Sequence, residues 1–400
     1  MEEILIIDSK MGTGKTSYII NKIKASTTDR FIYVTPFKTE CERMAENVPE
    51  KNFVEISKQK GLKLEALKKY LVEGRNIATT HSLFKRFDSE VLELLSANNY
   101  SLVIDEENTV IEQVKISPKD LQMLFDTEKI RVNSRNQVEW IDNEYTGKFK
   151  ELKETCAMEN VYFYNGSLLL WLFPVNIFKA MKSVTILTYR FSGSYERAYF
   201  DLNSVSYVYK SVRKIGGEFT LVDYVKKEEN IEELKDLINI YEGDYNSIGK
   251  KSTALSFSQF EKWRKSSSQP QKILQKNLYN YFRNLHNVSS DRILWTCPVD
   301  SKDKLKGKGY TKGFLASNSK ATNLYRERDT LAYCCNIFVQ PQIKQFFRDY
   351  GIEINEEEFA LASMLQWVWR SAIREGNSIN IYIPSSRMRE LLQEYLNGER

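Results

Sequence analysis

The sequence predicts an α/β protein of two tandem domains, each built on a mostly parallel sheet flanked by helices. Three observations carry this. The chain has 400 residues, more than one core of typical size, ~100–200 residues, organises. Short apolar or β-branched runs alternate with amphipathic stretches along the first hundred residues, the pattern of βαβ units. A second alternating series starts near residue 218 after a looser segment.

The first series opens on the strand-like EILIID (3–8), then SYIINKIKA (17–25) with apolar residues at helical spacing. RFIYVTP (30–36), helical KTECERMAENV, FVEIS, a helical Lys/Leu stretch, NIATT (76–80), helical SLFKRFDSEVLELL and YSLVIDEEN (100–108) continue it. Parallel strands require right-handed crossovers, so helices should cover both faces of the sheet. From about 110 to 182 the pattern loosens into an expected insertion. Its most apolar stretch, GSLLLWLFPVNIFKAM (166–181), is split by Pro174 and reads as a core helix or strand pair. SVTILTY (183–189) restores a strand. The second series runs EFTLVDY (218–224), helical NIEELKDLINIY, STALSFS (252–258), DRILWTC (291–297), GFLASN (313–318), a long helix ending near Gly376, INIYIPS (379–385) and a final amphipathic helix. The expected domains are 1–210 and 211–400.

Composition excludes several classes. The net charge of +5 is small for the length and by itself implies no nucleic acid and no membrane. Five scattered cysteines and two histidines lack metal-ligand spacing or a disulfide framework. The acidic start predicts no secretory leader, and a reducing cytoplasm is the expected compartment. The Lys-rich stretches 58–69 and 301–312 read as a solvated helix face and a flexible basic loop, with phosphate contact as the minority reading.

Chemistry concentrates at three places. DSKMGTGKTSYI (8–19) sets Gly12, Thr13, Gly14, Lys15 and Thr16 between a strand and a helix, the context of a phosphate cradle. Glycines let backbone N–H groups approach phosphate oxygens, and the helix N-terminus favours negative charge. Lys15 would bridge the β- and γ-phosphates, and Thr16 would hold Mg²⁺. The bland reading is a Gly-rich turn containing Lys-Thr. LVIDEEN ends a strand on Asp105, suited to hold Mg²⁺ through water, and Glu106, suited to polarise the attacking water. EEFALASMLQWVWRSAIREG (357–376) reads as one helix on which Gln366, Arg370 and Arg374, spaced by four, fall within an arc of about 80°. Arginines on a largely buried helix need anions. Those anions are either structural carboxylates or the γ-phosphate, the latter making the arginines fingers supplied in cis.

Taken in order, these segments resemble the motif series of superfamily 2 helicases. SKMGTGKT resembles the first motif with Ser9 for Ala, VTPFKTECERM the Thr-Pro motif, and IATTHSLF the Thr-His segment. VIDEEN stands at the DEAD/DEAH box, ILTYRFSGS at Ser/Thr-Ala-Thr, and TALSF at the first core strand of the second domain. ASNSKATNLYRERDTLAY resembles the coupling segment, and QWVWRSAIR resembles Gln-x-x-Gly-Arg-x-x-Arg, with Trp369 for Gly and Arg374 one residue late. Short helicase-like proteins of bacteriophages and mobile elements are the narrower likeness. The resemblance implies two RecA-like domains with ATP and Mg²⁺ in the cleft and nucleic acid, DNA before RNA, across both domains. It implies no membrane, and replication or recombination proteins as further partners. Thr35, Pro36, Thr80, His81, Thr322 and Asn323 are the expected strand contacts. A helix cap is an equal reading for Thr322 and Asn323, and a helix-start residue for His81. A nucleic-acid-stimulated switch without unwinding, and a P-loop small-molecule kinase, are the competing functions.

Overall fold

The computed structural model describes residues 3–226, 231–265, 269–319 and 324–400. The chain divides into two compact units. The first comprises the chain up to Ser9, Thr13–Asp223 and Gln340–Ile354; the second comprises Lys10–Gly12, Tyr224–Val339 and Asn355–Arg400. Both are α/β units with parallel sheets flanked by helices, as expected.

The first unit is organised by an eight-stranded sheet. Its strands are β1 (Ile4–Asp8), β2 (Arg30–Thr35), β3 (Val54–Glu55), β4 (Ile77–Thr80) and β5 (Tyr100–Asp105), then β11 (Ser183–Thr188), β12 (Tyr207–Ile215) and β13 (Glu218–Asp223). The insertion between them holds β6 (Ile111–Gln113), β7 (Ile130–Val132), β8 (Val138–Trp140), β9 (Val161–Tyr164) and β10 (Leu168–Leu172). The sheet order is β13-β12-β1-β11-β5-β2-β4-β3, parallel throughout except for β13. Continuous β-branched runs suit strands covered on both faces. The helix Lys15–Ala25 covers one face through Ile19, Ile20 and Ile23, which pack with Ile7, Phe31, Tyr33, Val103 and Leu187. Each such side chain contributes about 1.5–3 kcal/mol by leaving water.

Several expectations change here. EFTLVDY does not open the second half. Gly216 and Gly217, both at positive φ, make a two-residue turn that folds β13 back on β12 with Ile215 opposite Glu218. The chain therefore passes to the second unit after Asp223 rather than near 210. In the insertion, Pro174 separates β10 from the helix Val175–Lys179, and β6-β10-β9 form a small antiparallel sheet. The helix Pro341–Asp349, far along the sequence, belongs to this first unit. Phe346 meets the rings of Tyr162 and Tyr164 edge-on, and the Tyr164 hydroxyl donates to Asp349.

The second unit carries a four-stranded parallel sheet, β14 (Ile238–Ile240), β17 (Ile379–Tyr382), β16 (Thr330–Tyr333) and β15 (Ile293–Thr296), in that order. An aromatic core of Phe260, Trp263, Tyr281, Phe282, Trp295, Tyr310 and Tyr382 fills it. NIEELKDLINIY splits into a helix, Ile231–Leu237, and β14. STALSFS and GFLASN form single bridges, Ser256 to Asn336 and Trp295 to Phe314, instead of strands. Among the described residues no helix is long and apolar enough to cross a membrane. All five cysteines are buried and unbonded to one another.

Candidate nucleotide site and nucleic-acid face

The loop after β1 is shaped by two glycines. Gly12 has φ +86° and Gly14 φ +94°, backbone that L side chains rarely adopt. Gly14 caps the helix Lys15–Ala25 from the left-handed region and contributes no side-chain cap, so the helix start is shaped by backbone alone. A Cβ on Gly12 would meet nothing within 4 Å, so the loop's outer side is open. A Cβ on Gly14 would lie 2.0 Å from Cε1 of Phe219 on β13. The β12–β13 hairpin is thus the floor of the loop. Gly14→Ala should destabilise the first unit by about 2–4 kcal/mol in thermal or denaturant unfolding. Phe219→Ala placed on top should relieve the steric share and leave the backbone share, a non-additivity that a double-mutant cycle reads.

Ser9 anchors the loop's start: its N–H donates to Thr188 O at 3.1 Å, and its hydroxyl accepts from Val212 N at 2.9 Å. The ammonium of Lys15 donates to the Ser9 carbonyl, closing the loop on itself. Thr16, the next helical residue, keeps accessible surface.

Two carboxylates flank Lys15. Asp105 ends β5, one strand removed from β1 across β11. Its Oδ2 accepts from the Tyr33 hydroxyl at 2.6 Å. Burial pushes its carboxyl pKa up, against Tyr33 and Lys15, which hold it down. Asp8, absent from the sequence expectations, ends β1. It is 3% exposed and accepts N–H from Arg190 at 2.7 Å and Phe191 at 2.9 Å. It thereby holds the turn after β11, where Arg190 sits at φ +59°. Burial raises its pKa, opposed first by these amides and then by Lys15. A visible signal existed: ILIID and LVID both end an apolar strand on Asp.

Glu106 follows in the left-handed region, φ +65°, with its N–H bonded to Leu187 O at 2.9 Å. Glu107 accepts from the Thr188 hydroxyl at 2.9 Å. The acidic box and the TYR turn are therefore joined side chain to side chain, a link that spacing alone did not reveal.

The expected nucleic-acid residues divide. Pro36 and Thr80 line one shallow pocket with Phe37, Lys38, Thr39 and Ser82. Thr35 does not belong there: it is 0% exposed at the end of β2. His81 starts the short helix His81–Phe84, the second of its two readings. It is 9% exposed, and its Nε2–H donates to the Asp105 carbonyl at 2.9 Å, so it ties the pocket's edge to the acidic box instead of facing a strand. Thr322 and Asn323 lie outside the described residues.

In the second unit the single helix expected over 357–376 ends at Val368. Ser371 is extended, and Ala372–Glu375 form a separate 3-10 turn closed by Gly376 at φ +76°. The stripe argument therefore fails for Arg374, which is exposed. Gln366 is half-buried on the helix. Arg370 is 6% exposed, just past the helix end, with Nε donating to Gln366 O at 3.0 Å.

The YonV middle domain matches residues 111–171, and the YonV C-terminal Rossmann-like domain matches residues 232–396. The SPbeta prophage-derived uncharacterized protein YonV of Bacillus subtilis (strain 168) is 41% identical over 415 residues, covering 100% of both chains.

The chain belongs to the YonV family.

The YonV middle domain coincides with the insertion, and the YonV Rossmann-like domain spans the parallel sheet β14-β17-β16-β15. Solved structures similar to the chain include S. tokodaii Xpd4, with TM-score 0.49 and 13% identity over 98% of this chain and 94% of that one. A DUF1998 helicase, MrfA, bound to DNA and AMPPNP scores 0.37 at 12% identity, over 99% of this chain and 48% of that one. A DEAD box protein from the hyperthermophile Methanococcus jannaschii scores 0.29 at 9% identity, over 100% and 86%.

Proposed function

We propose that the chain hydrolyses ATP with Mg²⁺ to move on, or unwind, nucleic acid, as superfamily 2 helicases do. The observation that carries the reading is the loop after β1: two left-handed glycines, Lys15 at a helix start, and Asp105 at the end of a strand one removed from β1. The residues fit the nucleotide. The helix N-terminus and the open space beside Gly12 can take phosphate oxygens. Lys15 supplies charge to the β- and γ-phosphates, and the Thr16 hydroxyl and Asp105 would hold Mg²⁺, which neutralises phosphate charge. Glu106 orients the attacking water. Arg370 of the second unit is the proposed finger.

The route from hydrolysis to nucleic acid is also proposed within the first unit. His81 bonds the Asp105 carbonyl and directly follows Thr80, which lines the pocket at the N-terminus of the helix Lys38–Asn47. That pocket suits a backbone phosphate, met by Lys38, hydroxyls and helix N–H groups with no base reading.

ATP turnover measured alone and with single-stranded DNA, duplex DNA and RNA tests the reading, and stimulation by at least one is expected. Turnover indifferent to all three would overturn it, and a forked-duplex displacement assay then separates unwinding from switching.

Asp105→Asn gives a second result. For a carboxyl whose folded pKa lies above its unfolded value, burial costs nothing below the unfolded pKa, and the cost grows as pH rises from the unfolded to the folded value and is level above it. Asn keeps an acceptor for Tyr33. The variant should therefore lose Mg²⁺-dependent turnover while its Tm rises at pH 7, a gain that vanishes as pH falls below the unfolded pKa near 3.8.

A further inference from the structure

The charge of this chain is unevenly placed. Residues 269–313 hold nine Lys and Arg against three Asp, a net +6, while the whole chain carries +5. All 45 residues are described and lie in the second unit.

The Lys-rich stretch is not the flexible loop that its composition suggests. Tyr310 is fully buried, its hydroxyl donates to Leu305 O at 2.5 Å, and its carbonyl accepts from the Trp295 indole at 2.9 Å. Thr311 Oγ1 donates to Gly307 O at 2.8 Å. Gln275 of the helix Gln269–Tyr279 donates to Lys306 O at 2.7 Å, so loop and helix form one surface. Lys306 pairs with Asp303, and Lys302 lies over the Phe314 ring. Lys304, Lys308 and Lys312 are exposed, and among the described residues they meet no carboxylate. On the helix, Lys272, Lys276 and Tyr279 stand at i, i+4 and i+7, one stripe. Both lysines are exposed, again without a carboxylate, and Tyr279 is 40% exposed. A rigid scaffold that holds like charges together without counter-charge gains only when an anion covers it.

We propose that this face binds the phosphate backbone of single-stranded nucleic acid, with an unpaired base stacked on Tyr279. Lysines recognise phosphates without sequence preference, and an exposed aromatic ring within a basic surface is the device that holds unpaired bases. The face belongs to the second unit, the Pro36/Thr80 pocket to the first, and binding to the face requires no nucleotide.

The test is fluorescence anisotropy of a labelled oligo(dT) 30-mer with the full chain, without ATP, across a salt series. Lys304→Gln/Lys308→Gln/Lys312→Gln should weaken binding about 10-fold or more near 0.1 M salt. It should also lower the slope of log K against log salt by about 2, the release expected for three single-strand contacts. Tyr279→Ala should weaken binding about 5-fold or more at every salt concentration with the slope unchanged. Lys24→Gln/Lys115→Gln/Lys119→Gln removes equal charge from the first unit and should change neither. Circular dichroism and basal ATP turnover should match wild type in all three. Equal losses from both triple variants, or an unchanged slope in the loop variant, would overturn the proposal. So would loop-dependent binding to phosphatidylglycerol vesicles without binding to the oligonucleotide. Because no nucleotide is present, this outcome is independent of whether the chain hydrolyses ATP.

Discussion

Lys15→Ala is expected to bring ATP turnover below detection while the chain stays folded. In the proposed reading the Lys15 ammonium, at a helix start in a loop of left-handed glycines, follows charge onto a γ-phosphate. In this structure it donates to the Ser9 carbonyl, so its removal costs loop hydrogen bonding, about 1 kcal/mol for each bond, and not the unit's core. Tm should accordingly fall little. Lys15 also holds down the pKa values of Asp8 and Asp105, so the variant's carboxyls should both titrate higher. Steady-state turnover, a melting curve and an NMR titration of the carboxyl groups check the three statements. Retained turnover would remove the phosphate role of the loop.

Arg370→Ala is expected to lower kcat by ~10³ or more, the scale of an arginine finger, with analogue binding within about 3-fold of wild type. Arg370→Lys should be equally inactive, because an ammonium does not reproduce the planar fork of guanidinium donors. The side chain is 6% exposed and bonds the Gln366 carbonyl, so a structural role predicts something different. In that case Tm falls in the Ala variant, Lys restores it, and turnover at a temperature where both are folded is near wild type. That pattern would reassign Arg370 to holding the end of the helix Glu356–Val368.

What could be read from the chain, and what could not, follows the range of the interactions involved. The strand–glycine–Lys15–helix unit was legible because every part lies within about twenty residues and each residue type answers a local backbone demand. Asp105 was legible for the same reason, as the polar end of an apolar strand. The partners of these groups were not. Tyr33 on Asp105, Asp8 beneath the Arg190 turn, Phe219 under Gly14 and Glu107 on Thr188 are contacts between segments far apart in the sequence. Thr35 and His81 sat in the expected segments but turned inward, a matter of which side of the sheet end each side chain takes.

Helix periodicity misled at one place. The spacing of Gln366, Arg370 and Arg374 is helical, but Ser371 extends and the stripe is broken. Trp367 and Trp369, 0% and 3% exposed, are buried there by tertiary packing that no four-residue spacing encodes. Composition misled at another: Gly and Lys in 301–312 suggest a mobile loop, whereas one buried tyrosine, Tyr310, pins it.

The amino-acid order by itself determined an α/β chain, a glycine-bent strand-to-helix loop at residues 9–16 and an acidic strand end at Asp105, because these depend on propensity, backbone freedom and neighbours along the chain. Tertiary structure alone decided that β13 closes the first sheet, that the helix Pro341–Asp349 docks on the insertion, and that the lysines of 302–312 share a surface with Lys272, Lys276 and Tyr279. Those arrangements arise from burying apolar faces of segments distant in sequence, and local pattern does not say which face will meet which.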